Sequence, residues 1–361
     1  MASIVSVYTE RPHRLVNMSY IRWYRMAEAL AKLGHRVDIA VGDSSMTGGW
    51  TRGPRFLAEN LRKIRLGSVK WAQYDVVKVS YPEGWRTLKK YGGTGHRFII
   101  ARMGTVVGRR DMAGIVFTGR DRIQRYLAQR EISRSARYVS VLNDAARRLW
   151  LEGCKPRGEI LVVPGAADAH IPAPSHDPFP QDERKRCLFA GNLFSRRFAD
   201  IANAGLSDKL NRLGAALNER GIRLYVLGGG DASRLDAACT YYLGAVECDE
   251  AWSYMQHSHV GIELVKSGRA MQNNESSKLY HYLHAGLPVV SETGLPNTRL
   301  LEETGHGFIV ECDDLQTLTD RIEQSAASTW NKARVIEYMR EHHTWDHRAS
   351  IYHDILKDNQ L

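Results

Sequence analysis

The chain has 361 residues, 43% of them hydrophobic and 25% charged, with a formal net charge of +10 at pH 7. That is ordinary globular composition but more chain than one core usually serves, so two domains of about 150 to 190 residues each are expected. The excess of Lys and Arg calls for an anionic partner, whether nucleic acid, an anionic membrane surface or a phosphorylated small molecule. Five scattered cysteines without a CxxC pair argue against a zinc knuckle or a disulfide framework. No basic-then-apolar leader opens the chain and no run reaches the roughly 18 apolar residues of a spanning helix, which makes a cytoplasmic location the expectation.

Ser3 to Tyr8 reads as a strand and Ser19 to Leu33 as a helix, with Ile21, Tyr24, Ala27, Leu30 and Ala31 at three- and four-residue spacing and Gly34 as a stop. Arg36 to Val41 is a second strand, so the chain opens with a right-handed parallel crossover. Further strands are predicted at Asp75 to Val79, Arg97 to Ala101, Tyr138 to Leu142 and Glu159 to Val163, with helices at Arg120 to Ser135 and Ala145 to Glu152. The first strand–helix loop carries Arg11, His13, Arg14 and Asn17, which either close over an acceptor or are plain surface. Arg102 follows a predicted strand end, at the edge where such sheets hold ligands. Arg22, Trp23, Tyr24 and Arg25, together with the aromatic and basic segment from Trp50 to Lys90, suit a membrane interface or a glycan acceptor. No RNA-recognition or helix-turn-helix pattern accompanies them, so nucleic acid is not favoured.

Pro164 to Pro180 holds five prolines and reads as an ordered surface linker. A second α/β unit follows, with strands at Cys187 to Ala190, Arg223 to Leu227, Cys239 to Leu243, Val260 to Leu264 and Pro288 to Ser291. Its helices are read at Asp208 to Arg220, Asp249 to His257, after Ser277, and at Leu315 to Ala327. The expected fold class is α/β, two facing Rossmann-like domains with ligands in the cleft between them, outside the carboxyl ends of the strands. The expected boundaries are 1–168 for the first domain, 169–185 for the linker, 186–344 for the second domain, and 345–361 for a helix crossing back to the first.

The segment Asn274 to Glu292, NESSKLYHYLHAGLPVVSE, is a loop, a helix start and a Gly-x-Pro turn running into a strand. Glu275, Ser276 and Ser277 can satisfy helix N–H groups, and those same groups with the positive end of the helix dipole attract phosphate. Lys278 sits in the first turn, where a bound anion would offset its unfavourable charge. Glu275 is either a cap or a ligand. Gly228-Gly229-Gly230 follows a strand and is either a ligand edge or a turn, since no GxGxxG or GxxxxGK[ST] signature is present. Gly191-Asn192, with Arg196 and Arg197 close behind, either clamps a diphosphate or forms a solvated basic turn. Glu263 ends an apolar strand and either accepts a sugar hydroxyl or meets solvent. No HExxH or comparable spacing is present, so no metal and no cofactor is expected.

Taken in order, these strands and loops resemble the nucleotide-sugar-dependent glycosyltransferases built from two facing Rossmann-like domains, the GT-B architecture, and especially their retaining group. The resemblance rests on Ile4 to Val41, Leu188 to Asn192, Leu224 to Gly230, Leu243 to Val246 and, above all, Ser277-Lys278-Leu279 through Ala285-Gly286-Leu287-Pro288-Val289-Val290. It implies a nucleotide diphosphate sugar as donor substrate, with Val246 and Glu247 flanking the base and Ser276, Ser277, Lys278 and Leu279 meeting the diphosphate. Arg197 would be a further phosphate contact, and Arg102 or Met103 would lie in the neighbourhood where the family has a donor-sugar histidine. Many retaining members carry two glutamates where this chain has Asn273 and His281. The implied activity is glycosyl transfer to a hydroxyl of a glycan or lipid-linked saccharide, with an anionic membrane surface as a further expected partner. A same-fold nucleotide-sugar epimerase and a non-enzymatic basic nucleic-acid- or membrane-binding protein are the alternatives.

Overall fold

A computed structural model describes residues 1–9, 18–42, 59–108, 119–173, 176–193, 204–246, 248–265 and 273–361. The chain divides into two units, one including Gly119–Ala166 and Thr344–Leu361 with the N-terminal residues, the other including Ala167–His343.

In the first unit, β1 (Ser3–Val7), β2 (Arg36–Val41), β3 (Leu61–Arg65), β4 (Val76–Ser80), β5 (Ile99–Arg102), β6 (Tyr138–Val141) and β7 (Glu159–Val162) form a parallel sheet in the order β3-β2-β1-β4-β5-β6-β7. Its helices are α1 (Met18–Lys32), α2 (Tyr81–Lys90), α3 (Gly119–Ser135) and α4 (Asp144–Gly153). In the second unit, β8 (Lys185–Ala190), β9 (Ile222–Leu227), β10 (Thr240–Gly244), β11 (Val260–Glu263), β12 (Val289–Glu292) and β13 (Gly307–Val310) are again all parallel, in the order β10-β9-β8-β11-β12-β13. Its helices are α5 (Ala204–Asn218), α6 (Cys248–Gln256), α7 (Ser277–His284), α8 (Arg299–Thr304), α9 (Leu315–Ala327) and α10 (Lys332–His342). The last helix, α11 (Trp345–Asp358), packs on α1 in the first unit. Both sheets therefore reverse direction once, at β1/β4 and at β8/β11, the doubly wound arrangement that leaves a ligand crevice at each reversal.

Strand alternation splits each core into two layers. On the first sheet, Ile4, Ile39, Val76 and Ile100 face α1 and α11, which contribute Tyr24, Leu30, Trp345 and Tyr352. Val5, Val7, Val77, Val79 and Val139 face the opposite side, against Trp85 and Leu88 of α2, Ile132 of α3 and Trp150 of α4. Burial on both faces is why these strands read as apolar runs.

Several elements differ from the sequence reading. Strand β3, LRKIR, is an edge strand with two apolar residues, and α2 lies within the aromatic and basic stretch. The expected membrane face of α1 is interior: Arg22, Trp23 and Tyr24 are buried, and the Arg22 guanidinium lies 5.5 Å from the Trp345 ring centroid. Sandwiched between the sheet and α11, α1 has little outer face left. The proline-rich segment also enters a core, because Phe179 is buried with its ring centroid 4.6 Å from Tyr225 and 5.0 Å from Tyr254. Helix α9 matches its predicted span, and Asp314 caps it by accepting from the Thr317 N–H. Among the described residues, no helix is long and apolar enough to cross a membrane.

Burial holds two second-unit histidines, His259 and His284, at a pKa of about 4. His259 Nδ1 accepts the Arg186 N–H at 3.1 Å, a bond that protonation of that nitrogen removes. Depressed folded-state values mean that the unfolded chain binds more protons below its ordinary value of 6.5, so stability is complete above pH 6.5 and falls as the pH drops toward 4. The fully buried His284 should contribute roughly 3 kcal/mol to that loss. Melting temperature measured from pH 7 to pH 4 should show it, and His284→Leu should flatten the slope. An unchanged slope would remove His284 as a cause.

Candidate functional site

Strands β8 and β11 are neighbours with the chain leaving them in different directions, so the residues at their carboxyl ends border the crevice of the second sheet. Glu263, the last residue of β11, is 3% exposed. Its Oε2 lies 3.0 Å from Lys278 Nζ and accepts a hydrogen bond from the Ser276 hydroxyl. Ser276 precedes α7 but makes no side-chain cap bond, because its hydroxyl is committed to Glu263. Its backbone is clamped instead by Asn297, whose Oδ1 accepts the Ser276 N–H at 3.0 Å while its Nδ2 donates to the Ser276 carbonyl at 2.7 Å. The first-turn N–H groups of α7, on Ser277, Lys278 and Leu279, have no intrahelical carbonyl to meet. With no side-chain cap, they remain available to an anion.

The start of α7 is fixed against β8 from below. The fully buried Tyr282, one turn after Lys278, has its hydroxyl accept the Ala190 N–H at 2.6 Å and donate to the Leu188 carbonyl at 3.3 Å. Lys278 Nζ lies 5.1 Å from the Phe189 ring centroid, and a Cβ placed on Gly191 would stand 3.4 Å from it. The ammonium group is thus held over the first loop of the domain between a carboxylate and an aromatic face.

The glycines after β8 and β9 form two interlocked turns. Gly191 N–H donates to the Leu227 carbonyl at 2.8 Å, Leu193 N–H to the Gly229 carbonyl at 2.9 Å, and Gly229 N–H to Asn192 Oδ1 at 3.2 Å. Gly228 has φ of 150°, and a Cβ there would fall 2.2 Å from the Gly191 carbonyl oxygen. Gly228 is therefore required for the close approach of the two loops at the carboxyl ends of β8 and β9.

Other predicted residues are placed as follows. Glu275 Oε2 accepts from the Tyr280 hydroxyl at 3.2 Å. His281 is buried with its ring centroid 5.5 Å from that of Trp252, and its Nδ1 lies 2.7 Å from the Ser277 carbonyl, which assigns the proton to that nitrogen. Val246 is half-buried against the second core. Arg102 is the last residue of β5 rather than the first of a loop, so it lies in a buried row on the sheet face, in register with Ser80 and Ser140. Lys78, two residues before Ser80 on β4 and so on the same face, is fully buried, its pKa lowered to about 7 by burial and then by the Arg102 charge. Arg11, His13, Asn17, Arg197 and Glu247 lie outside the described residues. Asn297, Tyr282 and Phe189 were not singled out from sequence; only the Pro-Asn pair at 296–297 signals a turn there. Among the described residues, the group with metal-ligand spacing is Glu292, Cys312 and Asp313, but Lys209 Nζ already occupies it, 2.5 Å from Glu292 and 2.8 Å from Asp313.

No protein-family model and no curated protein matches the sequence. Solved structures do match in fold. Sucrose-phosphate synthase from Thermosynechococcus elongatus aligns with a TM-score of 0.71 at 14% identity, over 99% of this chain and 98% of that one. Anabaena HepE in complex with UDP and glucose gives 0.67 at 10% identity, over 99% and 100%. WaaG, a glycosyltransferase involved in lipopolysaccharide biosynthesis, gives 0.58 at 12% identity, over 98% and 95%. The fold is that of the GT-B glycosyltransferases. Lys278, Glu263, Ser276 and Gly191 border the crevice at the carboxyl edge of the second sheet.

Proposed function

We propose that the protein is a glycosyltransferase that moves a sugar, with retention, from a nucleoside diphosphate sugar to a hydroxyl of a glycan or lipid-linked saccharide. One observation carries this reading: the Lys278 ammonium and the uncapped N-terminus of α7 converge above Gly191, at the chain reversal of the second sheet. Departure of a nucleoside diphosphate develops negative charge, and donors fixed in place before the reaction stabilise it without reorganising. Lys278 supplies the positive charge, the first-turn N–H groups supply directed donors, and Glu263 with Ser276 holds the lysine in position. In a retaining transfer, the leaving phosphate oxygen takes the acceptor's hydroxyl proton, so no separate protein base is needed. HepE has been solved with UDP-glucose, which makes that donor the first to test. A role in polysaccharide or glycolipid assembly on the cytoplasmic face of a membrane fits this chemistry and the net positive charge.

The test has two stages. A panel of nucleoside diphosphate sugars at about 100 times Kd should raise the stability of the fold by about 2.7 kcal/mol for the true donor. Product NMR with an α-linked donor should then give an α-linked product. A β-linked product would overturn retention, and release of an epimerised nucleotide sugar without acceptor would replace the transferase by an epimerase.

A further inference from the structure

Helix α3 is the most polar helix to lie against the first sheet, and it is covered on one side only. Ala128 and Ile132 are buried, and Gln129 is fixed by the Val107 N–H and carbonyl at 2.8 and 3.0 Å. On the other side Ile123, Leu127, Arg130 and Arg134 follow one another at four-, three- and four-residue steps, one helical stripe. Ile123 and Leu127 are 50% and 51% exposed, and both arginines are exposed. Helix α4 is tied alongside by Tyr126 donating to the Gly153 carbonyl at 3.1 Å and Trp150 Nε1 donating to Ser133 at 2.9 Å. It adds Leu151, 51% exposed, with exposed Arg147 and Arg148, and exposed Lys155 follows its end. Between the two helices a cavity of about 580 Å³ is lined in part by Tyr126, Arg130, Arg134 and Lys155.

We propose that this face docks the protein on an anionic bilayer, with a lipid phosphate in the cavity and Ile123, Leu127 and Leu151 entering the apolar layer. Among the described residues, none of Arg130, Arg134, Arg147, Arg148 and Lys155 forms an ion pair, against Asp144 and Glu152 as the exposed acids of α4. Glu131 on α3 also feels the Arg134 charge, but five cations against these three acids leave the face net positive, and each cation near an anionic membrane surface contributes attraction that adds to aliphatic burial. Single-stranded nucleic acid would call for stacking rings where this face has aliphatic side chains. A second copy meeting it about a two-fold axis would place like charges against each other. Cys154 lines the cavity, but burial raises its thiol pKa, so it adds no nucleophile. The choice of a bilayer rests on the lipid-linked acceptor proposed above, while binding itself requires no turnover.

The experiment is flotation of the full chain with phosphatidylcholine vesicles, with and without phosphatidylglycerol, at low and high salt. Wild type should bind only the anionic vesicles and release in salt. Arg130→Ala with Arg134→Ala should weaken partition about tenfold or more, and Leu127→Ser with Leu151→Ser should reduce it further. Both double variants should keep the wild-type thermal shift with UDP-glucose, which separates loss of docking from loss of the donor site. The proposal fails if wild type ignores anionic vesicles, if the variants bind them unchanged, or if the same substitutions instead abolish self-association in sedimentation or binding to RNA. A normal vesicle response in a chain that takes no nucleotide sugar would leave docking standing and sink the transferase reading.

Discussion

Lys278→Ala is expected to lower kcat about 100- to 1000-fold, the usual loss when a positioned donor to a developing negative charge is removed. The same change leaves the Glu263 carboxylate buried with Ser276 as its remaining close partner, so stability should fall by about 1 to 3 kcal/mol. These two effects can be separated. Lys278→Met combined with Glu263→Gln removes both charges together, which should restore most of the melting temperature because a neutral pair no longer strands a buried ion. Its kcat should stay low. Recovery of activity in the double variant, or a near-normal rate in Lys278→Ala, would show that the lysine serves the fold and not the leaving group.

Gly228→Ala should be the most disruptive single methyl group in the site. At φ of 150° an L side chain is strained, and its Cβ would lie 2.2 Å from the Gly191 carbonyl oxygen and 2.7 Å from that carbonyl carbon. Both obstacles are backbone, and Gly191 is itself bonded to Leu227, so neither loop can yield alone. A loss of about 4 kcal/mol or more is expected, together with loss of donor binding as the two loops part. Gly205→Ala is the matched control. A Cβ there meets nothing within 4 Å, and the residue is helical, so it should be neutral or stabilising by up to about 1 kcal/mol. Denaturant unfolding of the two variants checks this; equal midpoints would mean that the loops after β8 and β9 are not rigidly interlocked.

Much of the architecture was legible because local patterning carried it. Apolar runs such as Ile99 to Ala101 and Val260 to Ile262 mark strands buried on both faces, and the alternation of strand and helix with glycine stops implied parallel sheets. Strand β3 was missed because an edge strand needs few apolar residues, and LRKIR shows no clear period. Arg102 was misplaced by one residue: in a strand, one further position moves a side chain from the loop edge onto a sheet face, and that face lies under α11. The lysine of NESSKLYHYLHAGLPVVSE was legible as a first-turn cation. Asn297 was not, because its grip on Ser276 joins residues 21 positions apart through a turn.

The sequence by itself determined the class of fold, the order of those strands and helices that carry a clear apolar pattern, and the presence of an anion-seeking helix start after a polar loop, since each depends on the periodicity and chemistry of a short window. Tertiary structure decided which surfaces stay open. Helix α1, rich in Trp, Tyr and Arg, is closed off by α11, which lies more than three hundred residues later in the chain, while α3 and α4 keep their aliphatic and basic stripe outside. It also decided which hydroxyl meets Glu263 and which glycine cannot carry a side chain. Exposure and close approach depend on what the rest of the chain lays against a segment, and no local window contains that information.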